Sequence, residues 1–229
     1  MTKLKSNTNP LKIAIIGSRG YPYVYSGYET LIKELSERLV QRGCEVTVYC
    51  HRNLFKEKAA NVNGIKLVYV PTIETKSLSQ LIHSFLSMCH AAVSDVDVVF
   101  AVNAANGPFG LISKVFRKPT AINVDGLEWL RPKWKGLGAV YFKIAARLST
   151  ILFDQIINDS EEMRKVYLNI FKKESVVIAY GATIKKSVDP SLIQKWLITP
   201  KEYYLVVGRM IPDNNADIIV KGFLASNST

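Results

Sequence analysis

The sequence predicts an α/β fold built on a doubly wound, mostly parallel sheet. Short β-branched runs alternate along the chain with amphipathic segments, and this alternation is typical of parallel strands joined by helices. Hydrophobic residues make up 48% of the 229 residues and charged residues 21%, which is the composition of an ordinary globular protein. A chain of this length suits one large domain or one and a half smaller ones.

Seven strands and five helices are predicted in the first domain. The strands are the runs rich in Val and Ile, namely Lys12–Ile16, Glu45–Cys50, Ile65–Val70, Asp97–Val102, Pro119–Val124, Asp154–Ile157 and Ser175–Ala179. The helices have apolar residues at three- and four-residue spacing, and they are Glu29–Arg42, Leu78–Val93, Phe109–Phe116, Leu137–Phe153 and Glu161–Phe171. Gly43 is expected to end the first helix, and Ser160 to cap the last one.

The domain boundaries follow from changes in composition. Residues 1–10 form a polar tail, and residues 11–180 form the first domain. Residues 181–201 contain Asp189-Pro190 and Thr199-Pro200 and predict a linker. Residues 202–229 then predict a buried strand at Tyr203–Val207, a loop and a helix at Ala216–Leu224. One such β-loop-α unit cannot form a domain by itself, so we expect the truncated start of a second domain.

Charge and cysteine content exclude several classes of protein. The three cysteines have no C-x-x-C spacing, which disfavours a disulfide framework or a zinc site and fits a reducing, cytoplasmic setting. No secretory signal precedes Leu11, and Lys143 and Arg147 interrupt the most apolar helix, so no membrane span is predicted. The net charge of +11 favours an anionic partner, either anionic lipid or a phosphorylated small molecule, or serves solubility alone. Nucleic acid ranks lowest, because no basic recognition motif is present.

The loop after the first strand is the first candidate site. It begins Gly17-Ser18-Arg19-Gly20, and glycines at the carboxyl end of a buried strand allow the backbone to approach a ligand. Neither the dinucleotide fingerprint nor the Walker motif is present, which disfavours hydride transfer and P-loop chemistry. Eleven residues separate Gly17 from Glu29, more than a plain connection needs. They include tyrosines that either cover a sugar face or simply pack the loop, and these are Tyr21, Tyr23, Tyr25 and Tyr28.

Four motifs in order resemble family 4 glycosyltransferases. The run Ile13–Arg52 resembles their amino-terminal loop and helix, with Gly20, Gly27, Glu29 and Thr30 matching and Ser26 in place of a usual glycine. The other three are INVDGLEWLRPKWKGLG, then IINDSEEMRKVY followed by VVIAYGA, and finally VVGRMIPDNN. The most similar subgroup includes rhamnosyltransferases of surface-polysaccharide gene clusters.

The resemblance implies a GT-B architecture, in which two Rossmann-like domains face each other and the first holds the acceptor. It also implies transfer of a glycosyl group from a nucleotide diphosphate sugar to a saccharide or lipid-pyrophosphate acceptor. The subgroup suggests that the transferred sugar is rhamnose. Neither a cofactor nor an essential metal is implied. Asp125 is the expected catalytic residue, although Asp125-Gly126 is also an ordinary turn. The expected substrate-binding residues are Gly17, Arg19, Gly20, Gly27, Glu29, Glu128 and Arg209. Glu29 and Glu128 either contact substrate or bond the loop backbone.

The activity of the chain and its contact with a membrane each allow more than one interpretation. Family members carry a donor-binding glutamate motif deep in the second domain, so we expect the chain to be inactive alone. The alternative is a non-catalytic acceptor-binding subunit that needs a donor-domain partner. An epimerase is a weaker third interpretation. The segment from Trp129 to Lys135 is basic and bears tryptophans, so it either contacts anionic lipid at the inner face of the plasma membrane or packs its tryptophans inside the fold.

Overall fold

A computed structural model of the chain describes residues 9–22, 26–73, 75, 78–132, 134–184, 186, 189, 191–208, 210–211 and 214–226. The described residues form two compact units. The first contains those up to Leu130 together with Trp134–Tyr180, and the second contains Arg131, Pro132 and those from Gly181 onward. The assignment of residues 202–229 to the start of a donor-binding domain stays a prediction.

The first unit is built on one eight-stranded sheet in the order β3-β4-β2-β1-β5-β6-β7-β8. All neighbouring strands are parallel except β3 and β4. The predicted α/β fold with a mostly parallel sheet is therefore confirmed. The strands are β1 Lys12–Ile16, β2 Glu45–His51, β3 Asn61–Val62, β4 Ile65–Val70, β5 Val98–Val102, β6 Thr120–Val124, β7 Gln155–Asn158 and β8 Val176–Val177.

Strand β3 is absent from the predicted strands. It pairs with β4 across Asn63-Gly64, and both turn residues have positive φ, 53° and 79°. An Asn-Gly pair in this conformation favours a two-residue hairpin, so this dipeptide in the sequence could have predicted the hairpin of β3 and β4. Strand β8 is shorter than predicted, because it lies at the sheet edge and pairs only with β7.

Five helices surround the sheet, within one or two residues of their predicted bounds. They are α1 Gly27–Gln41, α2 Ser79–Val93, α3 Gly110–Val115, α4 Leu137–Leu152 and α5 Glu161–Phe171. The Ser160 hydroxyl caps α5 by accepting a hydrogen bond of 3.3 Å from the backbone N–H of Met163, as predicted. Gly43 follows α1 with a φ of +81°, a conformation that glycine adopts without strain. None of the described helices has the length and apolar character needed to cross a bilayer.

The core lies on both faces of the sheet, because alternate residues of each central strand point to opposite sides. Ile13 and Ile15 of β1 pack towards Ile32 of α1. Ala14 and Ile16 belong to the opposite cluster, which contains side chains from α2, α4 and α5. The segment between β5 and α3 packs so tightly on α4 that a Cβ on Gly107 would lie 1.9 Å from the carbonyl oxygen of Ala145.

The second unit contains the short helix α6, Ser191–Gln194, and α7, Ala216–Ala225. The helix predicted at Ala216–Leu224 is confirmed, whereas the buried strand predicted at Tyr203–Val207 is wrong. These five residues have no regular structure, and their side chains are 39–84% exposed. An apolar run becomes a strand only when a neighbour completes its ladder of hydrogen bonds, and no described segment pairs with this one.

Candidate functional site

The carboxyl ends of the parallel strands lie at one edge of the sheet, where doubly wound folds bind ligands. The loop beginning at Gly17 follows β1, and Asp125 directly follows β6. His51 is the last residue of β2, and its backbone N–H donates a 3.0 Å hydrogen bond to the carbonyl of Arg19. The fold therefore brings the two predicted regions to the same edge.

Gly17 and Gly20 of the first loop lie so close to neighbouring strands that no larger residue fits there. Gly17 has a φ of +95°, and a Cβ there would lie 2.5 Å from the carbonyl oxygen of Val102 in β5. Gly20 has a φ of +124°, and a Cβ would lie 2.7 Å from Sγ of Cys50 in β2. Both glycines thus hold the loop against the sheet, which explains their presence without any ligand.

Glu29 organises the same loop from the first turn of α1. Its side chain is buried, and Oε1 accepts a 3.1 Å hydrogen bond from the backbone N–H of Arg19. The Ser26 hydroxyl donates to Oε2. A carboxylate is also favourable here because the helix N-terminus carries partial positive charge. These bonds support the interpretation that Glu29 fixes the loop backbone, and Ser26 supplies a donor that a glycine would lack.

Gly27 differs from the other predicted glycines. It is the first residue of α1, it is exposed, and a Cβ there would meet no atom of the described residues within 4 Å. Packing against the described residues therefore does not require a glycine at this position.

Asp125 is surrounded by tyrosine side chains. The Tyr28 hydroxyl, at the start of α1, donates a hydrogen bond to Oδ1 of Asp125. Burial, the charge of Asp125 and this hydrogen bond raise the pKa of Tyr28 well above its ordinary value, so the phenol stays a neutral donor. Burial and the same carboxylate also raise the pKa of Tyr180, whose hydroxyl donates a 2.7 Å bond to Oδ1 of Asn123.

A third tyrosine lies deeper on the same side. Tyr167 of α5 is fully buried, its hydroxyl has no hydrogen-bond partner among the described residues, and burial and the charge of Asp125 raise its pKa. Sequence reasoning named Tyr28 as a loop residue and missed Tyr167, Tyr180 and Asn123 as neighbours of Asp125. The signal for Tyr180 was its place in the Tyr-Gly-Ala motif after β8.

Glu128 lies in the 3₁₀ turn Glu128–Leu130 that follows the Asp125 turn. Its Oε2 accepts a 3.0 Å hydrogen bond from the indole N–H of Trp134. Trp134 packs on Phe142 with ring centroids 4.5 Å apart, and Trp129 meets Phe171 edge-on at 6.0 Å. Both tryptophans are therefore packed against the fold, which favours the packing interpretation of this segment.

Three candidate site residues named from the sequence lie outside the described residues. These are Arg209, Tyr23 and Tyr25. Among the described residues, no three His, Cys, Asp or Glu side chains lie close enough together to hold a metal ion.

The model of one protein family, described as a domain of unknown function (DUF1972), matches residues 11–183. This match covers the whole sheet and every described residue of the candidate edge. The chain belongs to the DUF1972 family. No curated protein sequence matches it.

The fold of the DUF1972 domain is similar to solved structures. One is that of Anabaena Alr3699/HepE in complex with UDP and glucose, with a TM-score of 0.55 and 17% identity over 82% of this chain and 50% of that chain. Another is LpCGTa in complex with UDP, with a TM-score of 0.53 and 14% identity over 82% of this chain and 56% of that one. The chain thus spans about half the length of these proteins. At such identities the likeness establishes the fold, a Rossmann-like domain of the GT-B type.

Proposed function

We propose that this protein belongs to the glycosyltransferases of family 4, and that its DUF1972 domain binds the acceptor. The observation that carries the proposal is the Tyr28–Asp125 hydrogen bond at the carboxyl edge of the sheet. It joins two of the four motifs that carry the resemblance. The two similar structures are complexes with UDP, one of them also with glucose, which supports a nucleotide sugar as the donor.

Asp125 takes the catalytic role in this proposal. Its carboxylate orients the acceptor hydroxyl, or accepts its proton, as the acceptor oxygen bonds to the sugar, the bond between sugar and pyrophosphate breaks and the nucleoside diphosphate leaves. Tyr28 is a positioning residue, because its neutral phenol donates to the carboxylate and holds its orientation. Tyr180 acts beside it through Asn123, which accepts the hydrogen bond of its hydroxyl. Glu29 and Glu128 act one step further away, through Arg19 and Trp134 respectively.

The remaining substrate contacts are assigned by the resemblance. Gly17, Gly20 and Arg19 shape the floor of the acceptor site, and exposed Gly27 admits the acceptor at its rim. Arg209 binds the donor pyrophosphate. The donor carries rhamnose, the acceptor is a saccharide or a lipid-linked saccharide of cell-surface polysaccharide synthesis, and the protein works in the cytoplasm at the inner face of the plasma membrane. A second candidate function is acceptor binding without transfer by this chain, which the acceptor arrangement supports equally.

Saturation-transfer NMR with nucleotide sugars, simple glycosides and lipid-linked saccharides tests the proposal. We expect saturation of the acceptor saccharide by the wild-type chain and its loss in Asp125→Ala. Asp95→Ala is the matched control, because Asp95 is an exposed carboxylate paired with Lys12 at the start of β1. Equal acceptor signals from wild type and Asp125→Ala would overturn the acceptor site. A strong nucleotide signal with the wild type that is lost in Asp125→Ala would show that this edge binds the donor and not the acceptor.

A further inference from the structure

Helices α3 and α4 present an unusually apolar outer surface. Both cover the same face of the sheet, since Ile112 and Ala146 pack into the cluster on that side. Their outward residues are large, apolar and 49–89% exposed, namely Leu111, Val115, Leu137, Val140, Ile144 and Ile151. Exposed apolar residues grouped in this way indicate an interaction surface and not chance exposure.

The exposed positions of α4 form a single stripe. Val140, Ile144 and Ile151 are spaced by four and seven residues, so they lie on one face of the helix. Lys143 and Arg147 are exposed between them, and the Arg147 guanidinium donates a 3.1 Å hydrogen bond to the carbonyl of Phe171. The stripe therefore mixes apolar side chains with long basic ones, and the stem of Lys143 can lie along an apolar surface while its charge reaches outward.

Lys and Arg dominate the charge of the segment that contains α3 and α4. Residues 98–153 contain eight Lys and Arg but only two acidic residues, Asp125 and Glu128. Those two carboxylates belong to the carboxyl-edge site, where they accept hydrogen bonds from Tyr28 and Trp134. No acidic residue of the sequence lies in α3 or α4. The surface is thus basic as well as apolar.

We propose that this surface, the α3–α4 face, binds an anionic lipid bilayer. Its apolar residues enter the boundary between headgroups and acyl chains, and exposed bases such as Lys114, Lys135 and Lys143 meet the negative headgroups. The helix lies along the interface and does not cross it. An acidic protein would satisfy the charges, but it would not by itself explain a stripe of aliphatic residues along the whole length of α4.

Membrane binding by the α3–α4 face would explain how the proposed acceptor site reaches a lipid-linked acceptor. This explanation rests on the proposed function. Trp134, just before α4, donates to Glu128, three residues after Asp125. The start of α4 is therefore tied to the turn that carries the proposed catalytic carboxylate. A chain bound through α4 would hold that turn close to the bilayer surface, where a lipid-linked acceptor presents its saccharide. Membrane binding itself needs no transfer and can be measured without any sugar.

Vesicle co-sedimentation of the full chain tests the inference. The vesicles are phosphatidylcholine, with and without one third phosphatidylglycerol. We expect binding to the anionic vesicles that weakens as salt is added. Lys135→Glu with Lys143→Glu should weaken it by about ten-fold or more. Val140→Ser with Ile144→Ser should weaken it comparably, because it removes the apolar contact and leaves the charge unchanged.

The control variant is Lys56→Glu with Lys58→Glu. It changes net charge by the same amount at exposed positions between β2 and β3, and it should bind within about two-fold of wild type. Circular dichroism checks that each variant is folded. Equal binding by the wild type and both α4 variants would overturn the proposal. A second result would also overturn it. In that result neither the wild type nor any variant binds vesicles, and analytical ultracentrifugation finds a wild-type dimer that Val140→Ser with Ile144→Ser dissociates. Acceptor saturation by a chain that fails to bind vesicles would leave the proposed function standing and reject this surface alone.

Discussion

The hydroxyl of Tyr28 donates a hydrogen bond to Oδ1 of Asp125, across 97 positions of sequence. The bond joins the start of α1 to the turn after β6. It makes the first loop and the Asp125 turn one structural unit, because neither can shift without breaking a bond to a partly buried carboxylate. Substitutions in the two segments should therefore affect the same properties.

Tyr28→Phe should lower both stability and acceptor affinity. It keeps the ring and removes only the hydroxyl, leaving a partly buried carboxylate with one donor fewer. We expect a loss of about 1–2 kcal/mol in the free energy of unfolding, measured in urea, and a roughly ten-fold weaker acceptor complex. Tyr69→Phe is the control, since its hydroxyl bonds the carbonyl of Ala59 at an exposed site and should change neither value. Unchanged acceptor affinity in Tyr28→Phe would show that Tyr28 has no positioning role.

Alanine should destabilise the fold at Gly20 and leave its stability almost unchanged at Gly27. At Gly20 the φ of +124° and the contact with Cys50 strain any side chain, and we expect a loss of roughly 2–3 kcal/mol in unfolding free energy. Gly27→Ala meets none of the described residues and should leave stability within about 1 kcal/mol of wild type. If Gly27 admits the acceptor, its alanine variant should still bind it less tightly. A severe loss of stability in Gly27→Ala would contradict the absence of contacts between this position and the described residues.

The buried pair His51 and His83 should make the fold sensitive to acid. Their rings stack with centroids 3.9 Å apart, and the His83 side chain is fully buried. Burial and the charge of His51 lower the pKa of His83 from 6.5 to about 3. Because the unfolded chain binds this proton more readily, the contribution to stability is complete above pH 6.5 and falls as the pH drops towards 3.

At pH 5 the expected loss from His83 is about 2 kcal/mol relative to pH 7.5. Urea unfolding of His83→Leu at the two pH values provides the comparison. Carboxylates titrate alike in both proteins, so the wild type should lose more stability than the variant. Equal losses would show that His83 keeps an ordinary pKa in the folded state.

Hydrogen exchange should separate the two units. The amides of β1 and β5 are bonded within the sheet, whereas residues 203–207 have no strand partner among the described residues. Mass spectrometry should find the peptide containing Tyr203–Val207 exchanging much faster than peptides of these central strands. Comparable protection in the two regions would contradict the irregular structure of this segment.

Periodicity was enough to locate most of the fold, because a sheet buried on both faces leaves unmistakable apolar runs. It failed at Tyr203–Val207, where the run is apolar but pairs with no strand of the described residues, and at β3, whose signal was a turn and not a strand. The glycines and Asp125 were found by motif. Their partners were harder to predict, because Tyr28 and Tyr180 approach Asp125 and Asn123 only through the order of the strands. Local sequence carries no information about such contacts.

The central claim is that the carboxyl edge around Asp125 binds an acceptor saccharide. Amide chemical-shift mapping of the isotope-labelled chain, titrated with a saccharide or lipid-linked saccharide, tests it most directly. We expect shifts concentrated in residues 17–22, 26–30 and 123–128, all lost in Asp125→Ala and retained in Asp95→Ala. Shifts confined to the opposite edge, near Lys12 and Asp95, or shifts that persist unchanged in Asp125→Ala, would contradict it.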